Sequence, residues 1–170
     1  MEKRGQIWVE TIIYTLIAFV MISLVLFFAG PKITEAQDKT IIEQSIKVME
    51  DINTIIVGIG VPGNKRLVEL EIKKGDLKID GVNNKIIFEM ESKYLFSQPG
   101  EDIDYGGVIV RTEQGGEFNT ITITSDYSAS HNLQYQKSNQ LKTITKSASK
   151  YKLFITNEGG SPTVINFELG

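Results

Sequence analysis

The chain has 170 residues, with 18 Lys or Arg against 21 Asp or Glu and a net charge of −3. That length allows one modest globular domain plus one further element, and no basic patch of the nucleic-acid-binding kind stands out. There are no cysteines, which removes disulfides, thiolate metal sites and cysteine nucleophiles together; a single histidine, His131, leaves little material for imidazole chemistry.

Residues 11–30, TIIYTLIAFVMISLVLFFAG, carry no charge. A helix needs ~20 such residues to cross a hydrocarbon core. Lys3 and Arg4 precede the run, so the positive-inside tendency predicts a cytoplasmic N-terminus and a C-terminal domain outside the cell. A cleaved secretory signal would have a shorter core ended by small residues, and Phe27-Phe28-Ala29-Gly30-Pro31 is a poor match to that. An uncleaved single-pass anchor fits the length and the charges. A third reading depends on what precedes the apolar run.

That prelude is Lys3-Arg4-Gly5-Gln6-Ile7-Trp8-Val9-Glu10. Glycine follows two basic residues, and a lone acid sits five positions later, where the apolar helix begins. The arrangement resembles the class III signal peptide of archaeal type IV pilins and archaellins. The resemblance implies a leader of residues 1–5, cut after Gly5 on the cytoplasmic side by a prepilin peptidase. Gln6 would become the new amino terminus, and residues 6–30 would stay as the transmembrane and assembly helix. Glu10 then falls at the fifth mature position. A carboxylate well inside a bilayer costs ~2.5 kcal/mol or more, so it is either solvated at the interface or paired. The first case sets Glu10 beside Lys3 and Arg4, with Trp8 as an interfacial anchor. In the second, which the resemblance implies, Glu10 meets the Gln6 amine of a neighbouring subunit.

Beyond Gly30 and Pro31 the pattern turns amphipathic over residues 31–60. Pro31 marks either a kink or the membrane exit. Ile33, Ile41, Ile42, Ile46, Met49, Ile52 and Ile56 recur mostly at steps of three and four, the stripe of a helix with one apolar face. Glu43 and Lys47 stand at the favourable i, i+4 spacing on the polar side. A helix from about residue 7 to 57 would run roughly 75 Å at 1.5 Å per residue, more than twice the hydrocarbon thickness. Its distal stripe must be buried, either on the chain's own domain or on other chains. Gly58, Gly60, Pro62 and Gly63 end it. Because these glycines follow a helix rather than a strand, they read as a hinge and not as a dinucleotide fingerprint.

Residues 65–170 alternate short apolar runs with turn residues. Strands are predicted at 67–72, 77–79, 85–90, 107–110, 120–124, 151–156 and 163–169, with the Ser/Thr/Lys-rich stretch 125–150 as a loop or weak strands. The expected fold class is α+β: a long N-terminal helix followed by an antiparallel β-sandwich or small β-barrel. Glu101, Asp102 and Asp104 cluster oxygens as a hard cation would want, but lack EF-hand spacing and read as a solvated acidic turn. His131, Lys73, Lys74 and the lysines of 146–152 read as exposed charges. No catalytic residue, metal site or cofactor is expected, and the chain is not expected to be an enzyme. Beyond residues 3–30 the resemblance to archaeal pilins lies in architecture, and this sequence lacks the N-x-S/T sites their filament subunits often carry. It implies a structural subunit, major or minor, of a type IV pilus-like surface filament. The partners would be the membrane, copies of itself or related pilins, and a prepilin peptidase. The alternative is a membrane-anchored extracytoplasmic β-domain binding module that does not polymerise.

Overall fold

A computed structural model of the chain describes residues 3–170, with side chains described from Trp8 onward. The first element, α1 (Lys3–Gly58), is a single helix of 56 residues. Pro31 lies inside it. Proline has no N–H to give, so the Phe27 carbonyl loses its usual i+4 donor. The Thr34 hydroxyl donates to the Gly30 carbonyl at 3.2 Å on the same turn, and the helix continues.

Ten strands follow: β1 (Lys65–Leu70), β2 (Asp76–Asp80), β3 (Lys85–Ser92), β4 (Asp102–Tyr105), β5 (Val108–Glu113), β6 (Asn119–Asp126), β7 (His131–Tyr135), β8 (Leu141–Thr145), β9 (Tyr151–Gly159) and β10 (Thr163–Leu169). They form a four-stranded sheet of order β1-β9-β10-β7 and a six-stranded sheet of order β4-β5-β6-β3-β2-β8. Every pairing is antiparallel except β10 with β7. The arrangement is sandwich-like with no closed barrel, so the α+β expectation resolves to its sandwich form.

The stretch expected as loop or weak strands contains two strands. In β7, Leu133 and Tyr135 alternate inward, and Tyr135 is as buried as the aliphatic core. In β8 only Ile144 is buried, so the strand carries almost no apolar signal and is held by its ladder to β2. His131 is not a freely exposed loop residue. It opens β7 half-buried, its ring edge-on to Tyr127 at 6.1 Å. The acidic run likewise forms an edge strand, β4, rather than a turn: short, charged strands are how sheets blunt their edges. Asp102 pairs with Arg111 at 3.0 Å, and Asp104 accepts the Gly107 N–H at 2.7 Å.

The core joins helix and sheets. Ile42, Ile46, Met49, Ile52 and Ile56 are buried in one cluster with Ile86, Phe88, Val108, Val110, Ile121 and Ile123. Side chains at spacings of three and four lie on one helix face, and this face lies on β6, β5 and β3. The direction of α1 follows from its two polar ties. Asp38 accepts the N–H of Lys93, just past the end of β3, and Asn53 accepts the Tyr127 hydroxyl beyond the far end of β6. The helix therefore runs along these strands.

The glycine-rich segment after α1 is a clamp, not a hinge. Asn64 donates its side-chain amide to the Ile59 carbonyl at 2.7 Å, and Asn157 donates to the Gly60 carbonyl at 2.6 Å. The Gly63 N–H reaches the Asn157 carbonyl at 2.7 Å, and the Asn157 N–H reaches Asn64 at 2.9 Å. Positive φ at Gly60 and Gly63 (75° and 89°) is where glycine is needed, because a side chain would clash with the following carbonyl. Glycine here shapes a turn that two asparagines then fasten to β9.

Candidate assembly surface

From Trp8 to Phe28 every described residue of α1 is exposed. Trp8 is 73% exposed and Phe27 75%, and the residues between are exposed throughout. The most apolar window of this helix is 0% buried. Two of its hydroxyls are absorbed locally: Thr15 Oγ1 donates to the Thr11 carbonyl and Ser23 Oγ to the Phe19 carbonyl, both at 2.8 Å. That is what a helix needs when its surroundings offer no hydrogen bonds. A water-exposed apolar surface of this extent marks a membrane or protein contact.

Glu10 lies exposed on this otherwise apolar segment. Among the described residues it has no ion-pair partner. Trp8 stands two residues before it, so both expected assembly residues share the exposed segment. The residues expected at a leader-processing site, Lys3, Arg4, Gly5 and Gln6, lie outside the residues whose side chains are described.

Below Pro31 the surface narrows. Ile33, expected in the buried stripe, is 54% exposed. It stands before the helix meets the domain, and the first fully covered residue is Asp38. Ile41 is only partly covered. Ile33, Ala36, Gln37, Thr40 and Gln44 line an open groove beside Lys73, and none of these helix residues is charged. An uncharged strip thus continues from the apolar half onto the domain's flank. The expected Glu43–Lys47 pair is not made. Lys39 reaches Glu43 at 3.9 Å and Lys47 reaches Asp51 at 3.1 Å, each lysine taking the acid four residues on.

The residue that sequence reasoning missed is Asp38. Its side chain is 3% exposed and accepts Lys74 Nζ at 2.6 Å and the Lys93 N–H at 2.7 Å. A buried carboxylate is tolerated only when paired and hydrogen-bonded, and here one residue ties the helix to the β1–β2 connection and to the end of β3. The signal was present. Asp38 sits four residues before Ile42, on the apolar stripe, and a lone acid there needs a partner. Asn53, about four turns further on, makes the second tie by accepting from Tyr127 at 3.0 Å while its amide meets the Gly106 carbonyl at 3.3 Å. Burial pushes the Tyr127 hydroxyl up to about 12, so it stays a donor at any ordinary pH.

Among the described residues no group of His, Cys, Asp and Glu is placed to hold a metal ion. The geometry is therefore that of a rod with an uncovered apolar end and a domain fixed to its other end. No family model, curated protein or solved structure matches this chain.

Proposed function

We propose that this chain is a structural subunit of a type IV pilus-like surface filament of the archaeal kind, assembled through the apolar half of α1. The observation that carries this reading is the continuity of α1. One helix leaves the apolar segment, enters the domain core and is held at Asp38 and Asn53. A tether for a binding module needs only to reach. A helix fixed to its domain transmits position, so copies that pack by their apolar halves set their domains in a regular array. The Lys3-Arg4-Gly5 leader and Glu10 support the same reading.

In this account the helix first spans the membrane, with the N-terminus inside the cell and the β domain outside. A prepilin peptidase removes residues 1–5. The mature helix then leaves the lipid and packs against copies of itself or related subunits. The Gln6 amine of one copy meets the Glu10 carboxylate of another, since an uncompensated charge buried there would cost several kcal/mol. The reading assigns the chain no catalytic role.

The test is fractionation of the native host. Shearing should release the chain in filaments visible by electron microscopy, and deleting its gene should remove or shorten them. A chain confined to the membrane fraction, with filaments unchanged by deletion, would replace this reading with the anchored binding module.

A further inference from the structure

The six-stranded sheet ends in two edges of opposite charge. At one end lie β4 and β5 with their loops, where residues 101–117 hold five acids, Glu101, Asp102, Asp104, Glu113 and Glu117, against the single base Arg111. At the other lies β8 with its flanking loops, residues 137–150, which hold four lysines and no acid. Asp76 and Asp80 on the neighbouring β2 temper that edge without cancelling it. Ion pairs within the chain neutralise each edge only in part: Arg111 meets Asp102 and Glu113, and Lys150 meets Glu69, but among the described residues Glu101, Asp104, Lys142 and Lys146 make no ion pair. With strands ~4.8 Å apart, the edges are separated by roughly 24 Å across six strands.

The register aligns them. Asp104 pairs with Ile109, Ile109 with Thr124, Thr124 with Ile87, Ile87 with Lys78, and Lys78 with Thr143. Asp104 and Thr143 therefore end one row across the sheet. Because all six strands are antiparallel to their neighbours, β4 and β8 run in opposite directions. α1 lies along the strands, so displacing a copy sideways keeps the helices parallel while bringing its acidic edge to the basic edge of the next.

We propose that the β4 edge of one copy docks on the β8 edge of a second copy, a head-to-tail contact that repeats. Contacts of this heterologous kind close into rings or extend as open helices, whereas a two-fold contact stops at a dimer. The edges meet through side chains. A continuous backbone ladder would accumulate ~20–25° of twist per strand and turn the next helix out of line. The proposal rests on the filament reading for the common orientation of the copies.

Cysteine cross-linking tests it on the full chain in its native host, because the chain has no thiols of its own. Asp104→Cys with Thr143→Cys, oxidised with diamide, should give a ladder of dimers, trimers and higher species. Either substitution alone should give none, and a mixture of the two single variants should give dimers only. Asp102→Cys with Thr145→Cys, on the adjacent row, repeats the test should Asp104→Cys disturb the β4–β5 turn. Lys146→Glu should reduce the ladder at least about tenfold, and Glu101→Lys in the same chain should restore it. Absence of a ladder from both pairs, or cross-linking by a single variant, overturns the interface. If filaments nevertheless form, only the interface fails; if wild type forms none, the filament reading fails as well.

Discussion

Replacing Asp38 with Ala should loosen the helix from its domain more than any exposed substitution can. The carboxylate accepts two charge-assisted bonds, at 2.6 Å from Lys74 and 2.7 Å from the Lys93 N–H, and its side chain is 3% exposed. Hydrogen bonds to charged groups contribute about 1.5–3 kcal/mol each, and breaking a buried pair costs ~3–5 kcal/mol. Lys74 is partly exposed and can turn its ammonium to water, which places the loss toward the lower end, at about 2–4 kcal/mol. For a domain of this size that corresponds to a fall in Tm of about 5–15 °C. The assay is thermal unfolding of the full chain in detergent, followed by near-ultraviolet circular dichroism. Glu43→Ala, on the exposed face of the same helix, is the control and should stay within ~0.5 kcal/mol of wild type. If Asp38→Ala also stays within that range, the tie carries no stability and the rigid-rod argument fails.

Removing α1 altogether should be worse. A fragment of residues 65–170 loses the five buried side chains from Ile42 to Ile56, each worth about 1.5–3 kcal/mol, a total that rivals a domain's net stability. A fragment of 31–170 should unfold cooperatively while 65–170 should not, as urea titration would reveal; equal midpoints would mean that the stripe serves other chains. Stability should also fall at high pH. Tyr127 titrates near 12 when folded and near 10 when unfolded, so its contribution is intact below pH 10 and lost as pH rises to 12. The loss is about 2–3 kcal/mol, and it should be missing in Tyr127→Phe; a wild-type profile identical to that variant between pH 10 and 12 would contradict it. Glu10→Ala should lower the ratio of filament-borne to membrane-borne chain at least about tenfold while leaving leader cleavage and the β fold unchanged, with Glu10→Gln intermediate. Undiminished assembly of Glu10→Ala would discard the Gln6–Glu10 pairing.

The parts of this fold legible from the sequence are those where one pattern dominates. The helix announced itself through an uncharged run followed by isoleucines at steps of three and four, and β3, β6, β9 and β10 through alternation of apolar and polar residues. β4 and β8 were hidden because edge strands bury little: Ile144 is the only buried side chain of β8, and β4 has none. Their stability comes from ladders to β5 and β2, which no local pattern encodes. The hinge reading of the glycine turn failed for a related reason. Glycine reports what the backbone must do, but the rigidity comes from Asn157, nearly a hundred residues away. For the candidate site, the apolar length was legible down to its last charge-free residue. The fastening was not, since Asp38 finds its partners only once Lys74 and Lys93 are brought round by the sheets.

The most direct test of the central claim is the intact mass of the chain taken from filaments sheared off native-host cells. The account predicts a chain whose first residue is Gln6, with the apolar helix retained. A chain beginning at Met1 and found only in membranes, or one cut beyond Ala29, would contradict it.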